Sequence, residues 1–425
     1  MITGPEPNQT IEMADPQQLR IADFDYTLPD DRIARFPAGE REASRLLRYH
    51  NGSITEHRYT DLPDLLPHHS LIVFNDSKVV EARLLFQKSS GGKIEIFCLE
   101  PGPSIREVSE GLRQSGTVDY YCLIGGASKW KHGETLALDV STNSLQLALQ
   151  ARIIARENNR FLIRFEWQPA EWNFAEVLHA AGNMPLPPYL KRDAVEADRE
   201  RYQTVYAARE GSVAAPTAGL HFTPALLTQL EHQEIMPAFL TLHVGAGTFK
   251  PVQSESMEGH EMHREWIDVP IDLLKTLRRS SKGTVTAVGT TSLRTLESLY
   301  WTGVKVKDDP SMPPEKLSIS QWEPYLRQGS PVSREAALDA LLEWMGKRGE
   351  TRLLTTTQLL IAPGYTIRMA GRLITNFHQP RSTLLLLVAA FIGDDWKKVY
   401  QYALDHGFRF LSYGDGCLLE QPMRE

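Results

Sequence analysis

The residues best suited to chemistry lie in four polar loops, each of which follows an apolar, strand-like run and leads toward a helix. The loops span residues 215–222, 242–249, 289–294 and 376–383. In an open α/β sheet, such loops gather at the carboxyl edge of the strands, where ligands bind. Free backbone N–H groups at helix N-termini can also hold a carboxylate or a phosphate. Together the loops predict one composite binding site.

Each loop also has a purely structural interpretation. Thr291, Ser292 and Ser382 could serve only as helix N-caps, because their side-chain oxygens suit that position. His221 or His243, taken alone, could be a structural histidine with satisfied hydrogen bonds. The occurrence of several such loops in one chain favours the composite site.

The common cofactor fingerprints are absent from the sequence. No phosphate-binding P-loop string occurs, which argues against a nucleotidase of that class. Gly245 and Gly247 begin like a dinucleotide loop, but Lys250 stands where a third glycine would be needed, so a plain turn is favoured. His260 and His263 lack the H-E-x-x-H spacing of a zinc site, and no metal is expected.

Composition excludes several classes of protein. The 425 residues include 46 Lys and Arg against 53 Asp and Glu, so the net charge of −7 excludes a uniformly basic coat but permits a local basic patch. Cys98, Cys122 and Cys417 are too few for a disulfide framework, which favours a reducing compartment. The N-terminus lacks the pattern of a secretion signal, and the longest apolar run, residues 384–392, is far shorter than the ~20 residues of a bilayer span. A cytoplasmic protein is expected.

The elements that position the loops change character along the chain. Residues 1–20 are polar and contain three prolines, which predicts a flexible lead-in. Residues 79–168 carry closely spaced short strand patterns, which predict a small antiparallel β-barrel inserted into a larger domain. Residues 21–78 and 169–425 alternate strands with helices, which predicts an α/β catalytic domain with a largely parallel sheet. Residues 301–357 within it are charged and contain prolines, and are interpreted as a surface insertion.

A second set of observations comes from longer strings that stand in a fixed order. They lie at residues 23–29, 73–76, 184–189, 202–206, 214–222, 242–249, 288–292, 375–378 and 412–415. In these strings the chain closely resembles the S-adenosylmethionine:tRNA ribosyltransferase-isomerase family of queuosine biosynthesis. The resemblance implies an α/β domain with an inserted β-barrel, which agrees with the strand and helix patterns.

The resemblance also implies an activity. The ribosyl group of S-adenosylmethionine would be transferred to the aminomethyl group of a 7-deazaguanine at the tRNA wobble position and isomerised. Epoxyqueuosine would form, and adenine and methionine would leave. S-adenosylmethionine is then a consumed substrate, no cofactor is required, and the partner is the tRNA anticodon stem-loop. A monomer is expected.

The residue types fit this chemistry. Because a sulfonium acidifies the neighbouring C5′ proton, a positioned base can start the reaction, and His221, His243 and Asp415 are the candidates. His378 could protonate or hydrogen-bond the departing adenine. Threonine hydroxyls could hold the ribose diol and the methionine end, and Arg294 could pair with a carboxylate or a phosphate. The expected substrate-binding residues are Lys78, Arg83, Thr217, Gly219, Gly245, Gly247, Thr248, Thr290, Thr291, Arg294, Asn376 and Tyr413.

The RNA would be recognised as a single-stranded loop. Two basic clusters could contact its phosphates, although such clusters are more often ordinary solvated surface. One cluster is Lys275, Arg278, Arg279 and Lys282, and the other is Lys129, Trp130 and Lys131.

Two departures from the family pattern leave alternatives open. Lys78 stands where the family usually has an arginine, which keeps a cation but loses the planar fork. Arg381 stands where the family usually has a glutamate, beside the expected site. A divergent relative that cleaves S-adenosylmethionine with another acceptor, or a catalytically silent tRNA-binding protein, would also fit.

Overall fold

The computed structural model describes residues 16–421, apart from residues 89, 106, 132, 143–144, 158–159, 246–251, 253 and 328–329. The predicted binding residues Gly247 and Thr248 lie outside the described residues, as does most of the predicted lead-in. Its described part, residues 16–20, packs onto the domain: Pro16 is buried, and the neighbouring Ile21 N–H donates to the Glu255 carbonyl. No helix in the part of the chain that the structure describes combines the length and apolar character that a bilayer crossing requires.

The described residues form strands and helices throughout the chain. The strands are β1 (Arg45–His50), β2 (Ser53–Arg58), β3 (Ser70–Asn75), β4 (Ser77–Val79), β5 (Arg83–Gln87), β6 (Lys93–Pro101), β7 (Thr117–Gly125), β8 (Thr135–Thr142), β9 (Leu145–Glu157), β10 (Arg160–Gln168), β11 (Gly182–Asn183), β12 (Arg209–Ser212), β13 (Ile235–His243), β14 (Glu265–Pro270), β15 (Val285–Val288), β16 (Arg352–Thr357), β17 (Arg372–Asn376) and β18 (Gly416–Glu420). The helices are α1 (Leu62–Leu65), α2 (Val108–Leu112), α3 (Phe174–Ala181), α4 (Asp198–Arg201), α5 (Pro224–His232), α6 (Ile271–Arg279), α7 (Thr290–Asp308), α8 (Glu323–Leu326), α9 (Arg334–Arg348), α10 (Thr383–Ile392) and α11 (Asp395–Asp405).

A large mixed sheet forms the centre of the molecule. Among the described residues its order is β16-β14-β13-β3-β15-β17-β18-β1-β2, and the neighbours β13, β3, β15 and β17 run parallel. The prediction of an α/β fold is confirmed, although antiparallel pairs on both sides make the sheet mixed rather than largely parallel. Strand β3 is buried at every residue, as its apolar run predicts for a strand covered on both faces.

The second sheet is antiparallel and curled. Its order is β11-β5-β6-β7-β10-β9-β8, and β5 and β8, which lie near opposite edges, come close to each other. No ladder joins its first and last strands in the described ranges, so the structure shows a curled, open sheet and does not confirm a closed barrel. Its core includes Phe86 and Phe165, and Phe174 of α3 packs into it from beyond residue 168.

Residues 301–357 differ from the predicted surface insertion. Helix α7 continues through them to Asp308, and its Trp301 and Val304 are buried in the main core. Helix α9 packs Leu338 and Leu341 into the same core, and β16 pairs with β14 at the sheet edge. Helix α9 exposes most of its charged residues and buries Leu338 and Leu341, although Arg334 is also buried, so the polarity of the stretch did not reveal its packing.

Candidate active site

A cleft opens where β15 and β17, which are parallel neighbours, reach their carboxyl ends. It is lined by short loops after the strands, by the first residues of α7 and α10, and by two tyrosines from a preceding segment. The described lining residues are Tyr189, Tyr202, Ala214, Ala215, Pro216, Thr217, Ala218, Val244, Gly289, Thr290, Thr291, Thr375, Asn376, His378, Gln379, Ser382, Thr383, Leu384, Leu411 and Ser412. Three of the four predicted loops thus contribute side chains here, and the fourth contributes at least Val244.

Two helix N-termini face the cleft. Gly289 adopts a φ of 87°, which favours glycine and lets the chain turn from β15 directly into α7. Ser382 caps α10 by accepting a hydrogen bond from the Leu385 N–H at 3.2 Å. The Thr291 Oγ1 atom is buried and has no hydrogen-bond partner among the described residues. This arrangement provides N–H donors and positive dipole ends for an anionic group.

A hydrogen-bonded chain runs from the cleft into the interior. The Thr217 hydroxyl donates to the Asn376 Oδ1 atom at 2.8 Å, and the Asn376 side-chain nitrogen lies 3.3 Å from the His221 Nε2 atom. His221 itself does not line the cleft, since its ring stacks on Tyr59 with the ring centroids 4.4 Å apart. Burial lowers the pKa of His221 to about 3, so the imidazole is neutral. It therefore lies behind Asn376, on the side away from the cleft.

His378 is the predicted catalytic histidine that lines the cleft. Its Nε2 atom lies 2.8 Å from the Thr375 hydroxyl, and its backbone N–H donates to the Tyr400 hydroxyl at 3.0 Å. Burial lowers the pKa of His378 to about 3. A neutral imidazole can donate or accept one hydrogen bond per nitrogen, but it is a poor proton store near neutral pH.

Asp415 hydrogen-bonds to backbone N–H groups and does not line the described cleft. Its Oδ1 atom accepts from the Arg45 N–H at 3.0 Å and its Oδ2 atom from the Arg409 N–H at 2.8 Å. The Arg409 guanidinium lies 3.3 Å from Oδ1. The carboxylate holds the loop before β18 against β1, and it does not lie among the described cleft residues.

His243 lies in a different place, which we call the junction cavity because it lies between the curled sheet and the large sheet. Glu107, Ser109, Arg113, Arg209, Glu210, His243, Trp266 and Asp268 are among the residues that line it. His243 ends β13 and Val244, the next residue, lines the cleft, so the two sites lie on opposite sides of one strand end. Burial lowers the pKa of His243 to about 4.

Several predicted binding residues are engaged elsewhere. Arg294 pairs with Glu265 at 2.6 Å, with both side chains buried. Tyr413 donates to Asp198 at 2.8 Å. The other two predicted cations lie on strands: Lys78 on β4 pairs with Glu210 at 2.9 Å, and Arg83 on β5 lies 3.4 Å from Glu95.

The two predicted binding glycines that the structure describes have packing or backbone roles. A Cβ atom at Gly219 would lie 1.9 Å from the Tyr206 hydroxyl, so only glycine fits there. Gly245 donates its N–H to Glu265 at 3.2 Å. Neither residue is a described part of the cleft lining.

The predicted basic clusters are partly neutralised. Lys275 pairs with Asp272 at 2.9 Å, and Arg278 forms a two-point contact with Asp339 at 2.6 and 3.0 Å. The buried Trp130 donates its indole N–H to the Glu134 carbonyl, which gives it a structural role in the curled sheet. Both surfaces remain predictions as phosphate sites.

The described lining of the cleft contains no carboxylate and no cationic side chain. Sequence reasoning missed Tyr189, whose hydroxyl lies 2.5 Å from the Ser412 hydroxyl, and Gln379. The signal for Tyr189 was available, because it ends one of the ordered strings. Ser382, interpreted from sequence as a cap, both caps α10 and lines the cleft.

Comparisons with known proteins identify the family of the chain. A sequence model of the family described as "Queuosine biosynthesis protein" matches residues 21–419. A protein of Xanthomonas oryzae pv. oryzae (strain KACC10331 / KXO85), named S-adenosylmethionine:tRNA ribosyltransferase-isomerase, is 38% identical over 407 residues, which cover 94% of this chain and 97% of that protein. A crystal structure of S-adenosylmethionine tRNA ribosyltransferase from Thermotoga maritima is 26% identical, covers 93% of this chain and 99% of its own, and has a TM-score of 0.44. The family match and the 38% identity show that the chain belongs to the queuosine biosynthesis protein family.

Proposed function

We propose that this chain transfers and isomerises the ribosyl group of S-adenosylmethionine onto 7-aminomethyl-7-deazaguanine at the wobble position of tRNA. Epoxyqueuosine forms, and adenine and methionine leave. The observation that carries the proposal is family membership over nearly the whole chain, together with a relative named S-adenosylmethionine:tRNA ribosyltransferase-isomerase. The cleft at the ends of β15 and β17 is the proposed site, and the chain works in the cytoplasm as a monomer.

The lining of the cleft suits the charge pattern of S-adenosylmethionine. A sulfonium carries a positive charge, and no cationic side chain in the described lining would repel it. The methionine carboxylate would bind at the N-terminus of α7, where Thr290 and Thr291 supply hydroxyls and the helix supplies backbone N–H groups. Arg294 supports this turn through its ion pair with Glu265 rather than by contacting the ligand.

His378 is assigned to the departing adenine. Because burial keeps its imidazole neutral, it stabilises the leaving base by a hydrogen bond rather than by transferring a stored proton. His221 and Asp415 are not assigned as the base that removes the C5′ proton, since neither lines the cleft. Their proposed contribution is to position Asn376 and the loop before β18.

Adenine release tests the proposal. Purified protein is incubated with S-adenosylmethionine and with tRNA that carries the aminomethyl-deazaguanine, and adenine is measured by chromatography. Release only with this tRNA, accompanied by epoxyqueuosine in the digested RNA, supports the proposal. Release without any tRNA would instead support a divergent relative with another acceptor, and no release would support a silent RNA-binding protein.

Two threonines of α7 provide a matched pair for the binding mode. Thr291→Val removes the unpartnered hydroxyl at the cleft, whereas Thr302→Val removes a buried hydroxyl that donates to the Ser298 carbonyl at 2.9 Å farther along the helix. We expect Thr291→Val to raise KM for S-adenosylmethionine about tenfold, the scale of one ligand hydrogen bond. Thr302→Val should leave that KM unchanged. Equal KM values for both variants would place the methionine end elsewhere.

A further inference from the structure

The junction cavity combines chemical groups that the cleft lacks. Trp266 on β14 pairs across the sheet with His243 on β13. It is half-buried and lines the cavity. The Nδ1 atom of His243 is buried and has no hydrogen-bond partner among the described residues. The aromatic face of Trp266 at the cavity is a suitable surface on which a planar base can stack.

The charges around this cavity favour an anion at its mouth. Arg113 and Arg209 are exposed, and neither forms a side-chain ion pair or hydrogen bond with any described residue. The carboxylates nearby are mostly engaged: Asp268 pairs with Arg352 at 2.6 Å and Glu210 with Lys78 at 2.9 Å. Glu107, which accepts from Ser109 at 3.4 Å, is the remaining acidic group of the lining. Asp76 stands outside the described lining, where burial raises its pKa and the nearby Arg209 partly offsets that rise. At the mouth itself, two exposed guanidinium groups outweigh Glu107, the one lining carboxylate that forms no ion pair among the described residues.

We propose that the junction cavity binds an unpaired nucleotide of the acceptor RNA that neighbours the reacting base, with its base stacked on Trp266 and its phosphate held by Arg113 and Arg209. The inference rests on the proposed function, because it describes how the protein binds the RNA substrate of that reaction. The reacting base itself belongs in the cleft with S-adenosylmethionine. Since His243 lines the junction cavity and the next residue, Val244, lines the cleft, consecutive nucleotides can enter the two sites across the end of β13.

His243 contributes to the wall of the site rather than a hydrogen bond. Its Nδ1 atom is closed off from solvent and faces Gly211, where a Cβ atom would lie 3.0 Å from it. The base is therefore held by stacking on Trp266, which tolerates any base. The cavity would thus add affinity for the RNA rather than a preference for one flanking nucleotide.

The test is a cycle of protein and RNA changes. Trp266→Leu and Arg209→Gln are each measured with an intact anticodon stem-loop and with stem-loops in which one nucleotide flanking the reacting base is abasic. Arg152→Gln is the matched control, because Arg152 is also exposed but lies on β9 outside the described cavity lining. Dissociation constants of the RNA, KM for the RNA and KM for S-adenosylmethionine are measured for each combination.

We expect Trp266→Leu to weaken binding of the intact RNA about 5- to 150-fold, the range for loss of one base–aromatic stack. It should have no further effect on the RNA that is abasic at the contacted position. Arg209→Gln should weaken all these RNAs alike and reduce the slope of log affinity against log salt concentration by about 0.7. KM for S-adenosylmethionine should stay constant throughout.

The outcomes separate this inference from the proposed function. If the wild type modifies the RNA but Arg209→Gln and Trp266→Leu bind it as Arg152→Gln does, the junction cavity is not an RNA site and only this inference fails. If the wild type releases no adenine but RNA binding still depends on Trp266 and Arg209, the proposed reaction fails and the nucleotide site stands. Should Trp266→Leu fail to fold, the salt slope of Arg209→Gln decides the question.

Discussion

The cleft and the junction cavity lie on opposite sides of the same strand end but are lined by different kinds of side chain. The described cleft is lined by hydroxyls, amides, one neutral imidazole and two helix N-termini. The junction cavity is lined by charged side chains and an indole ring. A small ligand that carries both signs of charge suits the first lining, and a flexible polyanion with flat bases suits the second.

The two sites also differ in how firmly hydrogen bonds hold their side chains. In the cleft, Asn376 and His378 are fixed by hydrogen bonds to Thr217, Thr375 and Tyr400 from neighbouring segments. In the cavity, Arg113 and Arg209 are exposed and unpaired in the described structure. Chemistry requires groups held in place, whereas RNA binding tolerates mobile cations at a rim. The predictions below test this division.

The largest effect should appear in the stability of the cleft region at acid pH. His221 and His378 have pKa values of about 3 in the folded chain, against a usual value near 6.5. Below pH 6.5 the unfolded chain therefore binds protons that the folded chain does not, and stability is lost as the pH falls. For the two histidines the free energy of unfolding should decrease by about 3 kcal/mol between pH 6.5 and 5. Urea denaturation at both pH values measures it.

The control for this prediction removes the histidines. The double variant His221→Gln, His378→Gln should lose about 3 kcal/mol of the pH dependence between 6.5 and 5 and keep the part that His243, with its pKa of about 4, contributes. His232→Gln should keep all of it, because His232 is exposed at the end of α5. An unchanged pH dependence in the double variant would show that other groups cause the acid sensitivity.

The next largest effect concerns the hydrogen-bonded chain behind the cleft. Asn376→Ala removes the link between Thr217 and His221, so the lining loses its alignment. We expect kcat for adenine release to fall about 100-fold, the cost of misplacing reacting groups by about 1 Å. His221→Ala frees only the far side of Asn376 and should cost about tenfold in kcat. KM for the RNA should stay the same in both variants.

Melting temperatures serve as the check on these two variants. If His221→Ala loses more activity than Asn376→Ala at equal stability, then His221 reaches the substrate and the positioning role assigned to it is wrong. If a variant lowers kcat and raises KM for the RNA by the same factor, the cleft also contributes to RNA binding, and the division between cleft and cavity is wrong.

The sequence predicted the position of the cleft better than the roles of its residues. Polar loops after strands indicated the carboxyl edge, and Thr217, Thr290, Thr291, Asn376 and His378 all line the cleft. Local sequence patterns were enough to predict the position of the cleft, because loops that follow parallel strands gather at the carboxyl edge of the sheet. They could not show that Asp415 accepts from the Arg45 N–H or that His221 stacks on Tyr59, since those partners are distant in sequence.

For the fold too, the sequence predicted local elements better than the contacts between distant elements. The strand patterns between residues 79 and 168 match β5 to β10 closely, but closure of the sheet depends on pairing between distant strands, which alternation does not encode. The burial of Trp301 and Leu341 in the main core was also missed, because the polarity of the stretch did not reveal its packing.

A smaller effect compares two helix caps. Ser382 caps α10 at the cleft, and Ser333 caps α9 away from it by accepting from the Ala336 N–H at 3.1 Å. Alanine at either position should lower the free energy of unfolding by about 1 kcal/mol. Only Ser382→Ala should also weaken S-adenosylmethionine binding, by a few fold in a calorimetric titration. Equal ligand affinities would mean that the N-terminus of α10 does not contact the ligand.

The smallest effect is expected at Arg381, whose charge differs from the glutamate usual in the family. Its guanidinium donates from Nε to Asp25 at 2.7 Å and is 56% exposed, and it does not lie in the described cleft lining. Arg381→Glu exchanges an exposed ion pair for a repulsion, so the free energy of unfolding should decrease by less than about 1 kcal/mol. KM values for S-adenosylmethionine and for the RNA should change less than about threefold. A rise of tenfold or more in adenine release with the aminomethyl-deazaguanine tRNA would show that Arg381 limits acceptor choice, and would favour the divergent relative over the proposed function.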